Sequence, residues 1–115
     1  QFEWEQLGQD LRGDNGGDWF GFVIALLADG FILGVGAPLN DGDVEDAGAA
    51  KVFCYNIVKD RWEQVGETLV GHMPEDHVCI SIGLSANGDS LATFQRYRSS
   101  DGKDSGHIQV YRKEE

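Results

Sequence analysis

The sequence predicts an all-β protein that consists of two copies of one structural unit. A displacement of 58 residues aligns residues 4–8 with residues 62–66, and residues 26–30 with residues 84–88, and the alignment continues without a gap. The 16 glycines and 2 prolines divide the apolar residues into short runs, which is the pattern of strands and turns. A repeat of this length indicates supersecondary units that stack on one another.

The first unit contains four successive segments with strand character. Residues 19–27 form an apolar run of strand length, and residues 28–30 carry the Asp-Gly signal of a hairpin turn. Residues 31–37 form the return strand, in which two glycines indicate that another backbone comes close. Residues 49–55 alternate between two faces as a third strand, and residues 61–66 form the fourth.

The second unit repeats this order at the same spacing. Glycine and β-branched residues interrupt every window with helical periodicity, so no helix is expected. An irregular segment is expected at residues 68–76. The remaining predicted elements are strands at residues 77–84, 90–97 and 106–112 and a hairpin turn at Asn87-Gly88.

Four antiparallel strands in a repeat of this length are typical of a β-propeller blade. The chain begins with a fourth strand at residues 2–8, continues with a complete blade at residues 19–66, and ends with a blade at residues 77–112 that lacks its fourth strand. We therefore expect two four-stranded antiparallel blades in circular permutation: strand 4, then strands 1-2-3-4, then strands 1-2-3. Repeat 1 spans residues 1–58, and repeat 2 spans residues 59–115.

Two blades are too few to close a propeller ring, which typically has about four to eight. The strand at residues 2–8 has no blade of its own, and the edge formed by residues 106–112 is left without a neighbour. An unpaired edge recruits other strands unless it is covered. We therefore expect other copies of the chain, or further propeller repeats, to join it head to tail, with residues 2–8 lent to the open blade.

Charge and hydropathy argue against two kinds of partner, nucleic acids and the membrane interior. The 20 acidic and 9 basic side chains give a net charge of −11, which repels a phosphate backbone and argues against nucleic acid. No segment reaches the roughly 18 consecutive apolar residues that a membrane helix needs, so no membrane insertion is expected. Residues 1–58 carry ten acidic and two basic side chains, and residues 59–115 carry ten and seven. This difference favours contact between unlike halves.

Four short motifs resemble a known family. They are Trp-x-Gln-Leu-Gly at residues 4–8, an Asp-Gly turn at residues 26–30, Gly-Ala-Pro-x-Asn-Asp-Gly at residues 36–42, and Ala-Gly-x-x-x-Val-Phe at residues 47–53. Together they resemble the repeats of FG-GAP-like propellers, which are related to the propeller of integrin α-subunits. The resemblance implies a binding or adhesion scaffold rather than an enzyme, in an extracellular or surface-attached protein. Repeat 2 departs from it, since residues 94–98 read Phe-Gln-Arg-Tyr-Arg.

The same resemblance suggests a calcium site. In some FG-GAP blades, the loop between the second and third strands holds Ca²⁺ with acidic side chains and backbone carbonyls. The equivalent loop in repeat 1 is rich in oxygen ligands and has a glycine for a sharp turn, as a hard cation requires. The alternative is a solvated polar loop, with no cofactor. The candidate ligands are Asn40, Asp41, Asp43, Glu45 and Asp46.

Two further features suggest contact with a ligand or partner. Arg96, Tyr97 and Arg98 form a basic and aromatic cluster in an acidic chain, which suits a carboxylate, an acidic glycan or an acidic loop of a neighbouring subunit. The alternative is a charged strand end that protects the sheet edge. Trp19 has no counterpart in repeat 2, where His77 takes its place, and it is a candidate for an exposed aromatic residue at a loop mouth.

No pattern in the sequence points to catalysis. His72, His77 and His107 have no metal-ligand spacing, and nothing brings a nucleophile and a base together. The expected function is therefore a non-enzymatic structural or assembly module that associates through exposed blade strands. The alternative is an adhesion or lectin-like propeller that binds an acidic protein or a glycan, with calcium as one option.

Overall fold

The computed structural model describes residues 3–38, 48–70, 81–98 and 104–114, and in these residues it contains strands and no helix. The all-β prediction is therefore confirmed. The strands are β1 (Val23–Leu26), β2 (Ile32–Ala37), β3 (Ala49–Asn56), β4 (Arg61–Gln64), β5 (Leu69–Val70), β6 (Ser81–Leu84), β7 (Ser90–Arg98) and β8 (Asp104–Arg112).

The first sheet is an antiparallel meander in the order β1-β2-β3-β4. Its first hairpin closes where Gly30 adopts a left-handed φ of 77°, a conformation that glycine tolerates without steric cost. The Asp29 carboxylate stabilises the turn by accepting a hydrogen bond of 2.8 Å from the backbone N–H of Phe31. The short strand β5 adds to the start of β3, where Val70 pairs with Ala49.

The second sheet contains β6, β7 and β8, and its strand pairing repeats that of the first sheet. Val23 pairs with Gly36 between β1 and β2, and Ser81 pairs with Phe94 between β6 and β7. Ile32 pairs with Cys54 between β2 and β3, and Ser90 pairs with Arg112 between β7 and β8. The partners in the second sheet lie 58 residues after those in the first, so the repeat extends to the hydrogen-bond register. The two antiparallel sheets are shown; their arrangement as propeller blades stays a prediction.

Both faces of the first sheet are covered in its centre. One face packs on the second sheet around Ala50, which is buried with Val23, Leu69 and Ile82 against it. The opposite face carries buried Val35 and Phe53. The irregular segment before β1 crosses this side of the sheet, where Asp14 forms an ion pair of 2.9 Å with Lys51.

Several element boundaries differ from the sequence prediction; β4 ends at Gln64 rather than at residue 66, and β8 begins at Asp104 rather than at residue 106. The first strand begins at Val23 rather than at residue 19, because Trp19 and Gly21 have left-handed φ values of 61° and 86° that cannot continue a strand. Residues 3–8 belong to no strand. The segment predicted to be irregular at residues 68–76 contributes β5. The part of the second blade predicted at residues 77–80 lies outside the described residues.

Candidate functional site: unpaired sheet surfaces

The contact between the two sheets joins unlike faces. Ile82 of β6 packs on the first sheet over Gly34, where its Cδ1 lies 2.9 Å from the position that a Cβ of residue 34 would occupy. Its neighbour on the same face of the second sheet, Leu84, is 3.6 Å from that position. Glycine at position 34 therefore gives the Ile82 side chain the space to seat against β2.

The counterparts of Ile82 and Leu84 in the first sheet are exposed. They are Ile24 and Leu26, which precede them by 58 residues and leave 62% and 60% of their surfaces in contact with solvent. Phe22, which comes just before β1, is exposed as well. We call the surface formed by Phe22, Ile24 and Leu26 the β1 ridge.

The second sheet has an exposed face that corresponds to the buried face of the first. Ile108 is the counterpart of Ala50, yet Ile108 is 68% exposed whereas Ala50 is 1% exposed. Val110 next to it is 71% exposed. This face contains a hollow of about 220 Å³, which we call the β6 hollow; its walls include Gly83, Ala92, Phe94 and Ile108.

The outer edge of β8 has no partner strand among the described residues. In the first sheet the equivalent edge of β3 is paired with β4, where Tyr55 lies opposite Trp62. A cavity of about 280 Å³ opens beside the end of β8, between the two sheets. Its lining includes apolar Leu84, Leu91 and Tyr111 together with charged residues such as Arg112 and Lys113.

The amino-terminal segment is held against β4 through side chains rather than through a strand ladder. The Gln9 amide donates to the carbonyl of Trp62 and accepts from its N–H, each over 2.9 Å. The indole N–H of Trp62 donates to the carbonyl of Leu7 over 3.0 Å. The Gln9 amide therefore satisfies both backbone hydrogen-bonding groups of Trp62 on the outer side of β4. Residues 3–6 belong to no strand. Trp4 among them is fully exposed.

Asp60 holds the same junction from the β3–β4 turn. Its carboxylate accepts a hydrogen bond from the Tyr55 hydroxyl and another of 2.9 Å from the backbone N–H of Gly8. These two bonds, the first of them the stronger, lower the pKa of Asp60 below its usual value. The hydrogen bond to Asp60 in turn raises the pKa of Tyr55. Trp62 packs against the Tyr55 ring at 5.4 Å.

The Trp19 side chain is exposed, and its ring stacks on that of Phe22 at a centroid distance of 5.5 Å. It therefore extends the β1 ridge. Arg96, Tyr97 and Arg98 lie in β7 of the other sheet, where their backbones pair with β8. Trp19 and this cluster thus belong to different sheets. The candidate calcium ligands Asn40, Asp41, Asp43, Glu45 and Asp46 lie outside the described residues.

The sequence prediction missed the β1 ridge, the β6 hollow and the role of Gln9. The ridge had a signal, because Ile24 and Leu26 recur as Ile82 and Leu84 in the aligned repeats. The β6 hollow had no signal in the repeat pattern, because Gly83, which lines it, differs from its counterpart Ala25 in the first repeat. Gln9 also had none, since its counterpart is Glu67, which cannot donate as an amide does.

In the part of the chain that the structure describes, no group of three or more His, Cys, Asp or Glu side chains is arranged to hold a metal ion. The described residues also include no helix long and apolar enough to span a membrane. No protein-family model matches the sequence, and no curated protein or solved structure shows significant similarity to it. The FG-GAP-like resemblance therefore remains a prediction from the motifs, and the antiparallel all-β fold is what is shown.

Proposed function

We propose that this protein is a non-enzymatic structural module that assembles head to tail with further copies of itself or with further repeats of its kind. One observation carries the proposal: residues 3–8 belong to no strand, whereas their counterparts in repeat 2 contain β4. The outer edge of β8, which corresponds to the edge that β4 occupies on β3, has no strand beside it in the described residues. A free strand sequence and a free edge of the same register complement each other.

The register of the proposed pairing follows from the first sheet. Cys54 lies opposite Glu63 between β3 and β4. The same register displaced by one repeat brings Arg112 of one copy opposite Glu5 of the next, and Lys113 opposite Trp4. Opposite charges across two strands stabilise a pair by about 0.2–1 kcal/mol, and a lysine over an indole adds a cation–π contact. Both pairs are favourable, whereas the next pair in this register, Glu114 opposite Glu3, brings two like charges together and offsets part of the gain.

The cavity beside β8 gives the Trp4 side chain a place to pack. The alternation of side chains puts Trp4, opposite Lys113, on the face that carries Tyr111 and Leu91. This is the face that lines the cavity of about 280 Å³ between the sheets. In the free chain the Trp4 indole is fully exposed, so its transfer into apolar surroundings supplies hydrophobic free energy for assembly.

Sedimentation velocity over a range of protein concentrations tests the proposal. We expect the wild-type chain to form oligomers whose size grows with concentration, and Trp4→Ala to need about tenfold more protein for the same degree of association, as for loss of a central aromatic residue. A wild-type chain that remains monomeric and folded at all concentrations would contradict the proposal.

A charge exchange tests the register itself. Glu5→Arg and Arg112→Glu should each weaken association, because each places two like charges opposite one another. The double variant Glu5→Arg/Arg112→Glu restores the opposite pair in every contact and should regain association. If the double variant is as weak as the single variants added together, these two residues do not face each other.

A second candidate function, ligand binding by an adhesion or lectin-like module, is favoured by the exposed pair of Trp19 and Phe22. The two stacked rings are open to solvent and present apolar aromatic surface, which suits the apolar face of a sugar or another planar group. A thermal-shift screen with neutral and acidic glycans, with and without calcium, tests this function. Stabilisation that Trp19→Ala removes would support it; no response to any glycan or to calcium would exclude it.

A further inference from the structure

The two sheets of one chain already contain a complete example of how one repeat recognises the next. The face of the second sheet with Ile82 and Leu84 packs on the face of the first sheet with Gly34 and Ala50. The two faces differ, so the contact has a direction along the chain. A directed contact leaves one unused surface at each end.

The unused surfaces are the β1 ridge and the β6 hollow. The ridge presents Ile24 and Leu26, which occupy the repeat positions of Ile82 and Leu84. The hollow lies on the face that corresponds to the Gly34 and Ala50 face. Each surface is exposed here, while its counterpart is buried or half-buried inside the chain.

We infer that the β1 ridge of one copy docks into the β6 hollow of a second copy of this chain, so that sheets stack across copies in the same order as within one. This inference rests on the proposed head-to-tail assembly and names the sheet faces that take part in it. The occupant is a second copy because the contact continues the interface between repeat 1 and repeat 2. The apolar area that remains exposed on both faces supplies the driving force.

The shape of the hollow differs from that of the site that receives Ile82. Position 34 is glycine in repeat 1, whereas its counterpart Ala92 carries the methyl group that would contact the incoming isoleucine. The neighbouring strand compensates, since Gly83 replaces Ala25 and has open space where a Cβ would lie. Ile24 of the second copy therefore enters beside Gly83 rather than over Ala92.

Both proposed contacts are compatible with one neighbouring copy. The strand contact joins residues 3–8 to β8 by the relation between β4 and β3, and the face contact joins the ridge to the hollow by the relation between repeat 2 and repeat 1. In both contacts, repeat 1 of the second copy takes the position that follows repeat 2 of the first copy. A copy positioned by either contact is therefore in place for the other.

Complementation between two variants tests the face contact. Ile24→Asp puts a charge on the ridge and leaves the hollow intact. Gly83→Leu fills the hollow and leaves the ridge intact; the open space at Gly83, whose φ lies outside the left-handed region, makes this substitution compatible with the fold. Ile57→Asp is the matched control, because Ile57 is an exposed isoleucine in the turn between β3 and β4 and belongs to neither the β1 ridge nor the β6 hollow.

We expect each face variant to raise the concentration needed for association about tenfold or more in sedimentation velocity, and Ile57→Asp to behave as the wild type. An equimolar mixture of Ile24→Asp and Gly83→Leu retains one intact ridge and one intact hollow, and should form dimers more readily than either variant alone. Circular dichroism identifies any variant that has lost its β-structure, and Ile24→Ser and Gly83→Val then replace it.

If Ile24→Asp and Gly83→Leu each associate at the same protein concentrations as the wild type, the face contact is overturned, while the strand contact is unaffected. Absence of association in the wild type would overturn the proposed function as well. A mixture that associates no better than its separate components would show that the two surfaces do not meet.

Discussion

Thr93 carries a buried hydroxyl that has no hydrogen-bond partner among the described residues. The residue is 1% exposed, and its counterpart in the first sheet is Val35, which is also buried. A buried hydroxyl without a partner destabilises a fold by about 1–3 kcal/mol relative to an apolar group of the same shape. Repeat 2 therefore contains a defect that repeat 1 lacks.

We predict that Thr93→Val raises the free energy of unfolding by about 1 kcal/mol. The reciprocal variant Val35→Thr introduces the same defect into the first sheet and should lower it by about 1–3 kcal/mol. Urea denaturation of both variants measures the two effects. A lower stability for Thr93→Val would show that the hydroxyl has a partner and contributes to the fold.

Asp60 makes the stability of the chain depend on pH. Its pKa in the folded chain is lowered by the Tyr55 hydroxyl and then by the Gly8 N–H. The carboxylate therefore stabilises the fold fully above the usual aspartate pKa of about 3.9, and this contribution disappears as the pH falls through the lowered value. Because Asp60 is on the surface, salt screens the effect.

We predict that Asp60→Asn flattens the loss of stability on acidification below about pH 4. Asparagine suits the left-handed φ of 52° at this position, so the turn is kept while the titrating group is removed. Thermal unfolding between neutral and strongly acidic pH checks the prediction. Tyr55→Phe, which removes the stronger donor, should show an intermediate profile; identical profiles for wild type and Asp60→Asn would contradict it.

At the scale of elements, the contact between β2 and β6 depends on a glycine and the end of one isoleucine. A Cβ at Gly34 would lie 2.9 Å from Cδ1 of Ile82, which is closer than atoms in a packed core normally come. The sequence suggested that a backbone would approach this glycine. The structure shows a side chain there instead, because the Ile82 side chain of the second sheet packs directly over Gly34.

We predict that Gly34→Ala lowers the free energy of unfolding by about 1–3 kcal/mol through overpacking. Ile82→Val removes the Cδ1 methyl group and by itself should cost about 0.5–1.5 kcal/mol. The double variant should be more stable than the sum of the single effects predicts, since the smaller side chain leaves room for the new methyl group. If the double variant loses as much free energy of unfolding in urea denaturation as the two single variants together, residues 34 and 82 do not interact, and the sheets adjust to each change separately.

The strands were predictable because their signals are local. The hairpin turns at Asp29-Gly30 and Asn87-Gly88 contain the residues that the turn geometry requires, and the apolar runs beside them supply the strands. The start of β1 was not predictable from the apolar run, since the left-handed φ of Trp19 depends on its surroundings. Strand propensity does not report such a conformation.

The candidate site was less predictable than the strands. The repeat indicated a free edge and a free strand, but periodicity alone does not indicate which face of a sheet is left uncovered. That depends on how the segment before β1 crosses the first sheet, where it is fixed by the Gln9 amide and by the ion pair of Asp14 with Lys51. Contacts between distant residues determine this path, and single-residue patterns do not contain them.

At the scale of the whole molecule, two repeats related by one displacement leave complementary surfaces at opposite ends. Contacts of this kind either close into a ring or continue as an open array, depending on the rotation between neighbours. Both outcomes use the same ridge, hollow and strand. The size distribution in sedimentation therefore distinguishes them: a ring gives one limiting species, and an open array gives a series that grows with concentration.

The overall charge determines how salt acts on this assembly. Acidic side chains outnumber basic ones in both halves of the chain, by ten to two in residues 1–58 and by ten to seven in residues 59–115. Two copies therefore repel each other at long range, even when the less acidic half of one faces the more acidic half of the other. The β1 ridge and the β6 hollow are apolar, so their attraction has no charge for salt to screen.

We predict that sodium chloride strengthens association. Raising its concentration from about 20 mM to about 300 mM shortens the Debye length from roughly 20 Å to roughly 6 Å, which screens the repulsion between copies and leaves the apolar contacts intact. The Arg112 and Glu5 pair loses some attraction, but an exposed pair contributes only about 0–1 kcal/mol. Chloride is preferred to sulfate because sulfate strengthens apolar association by itself. Sedimentation at the two salt concentrations measures the effect, and weaker association in high salt would show that attraction between the unlike halves, rather than apolar contact, holds the copies together.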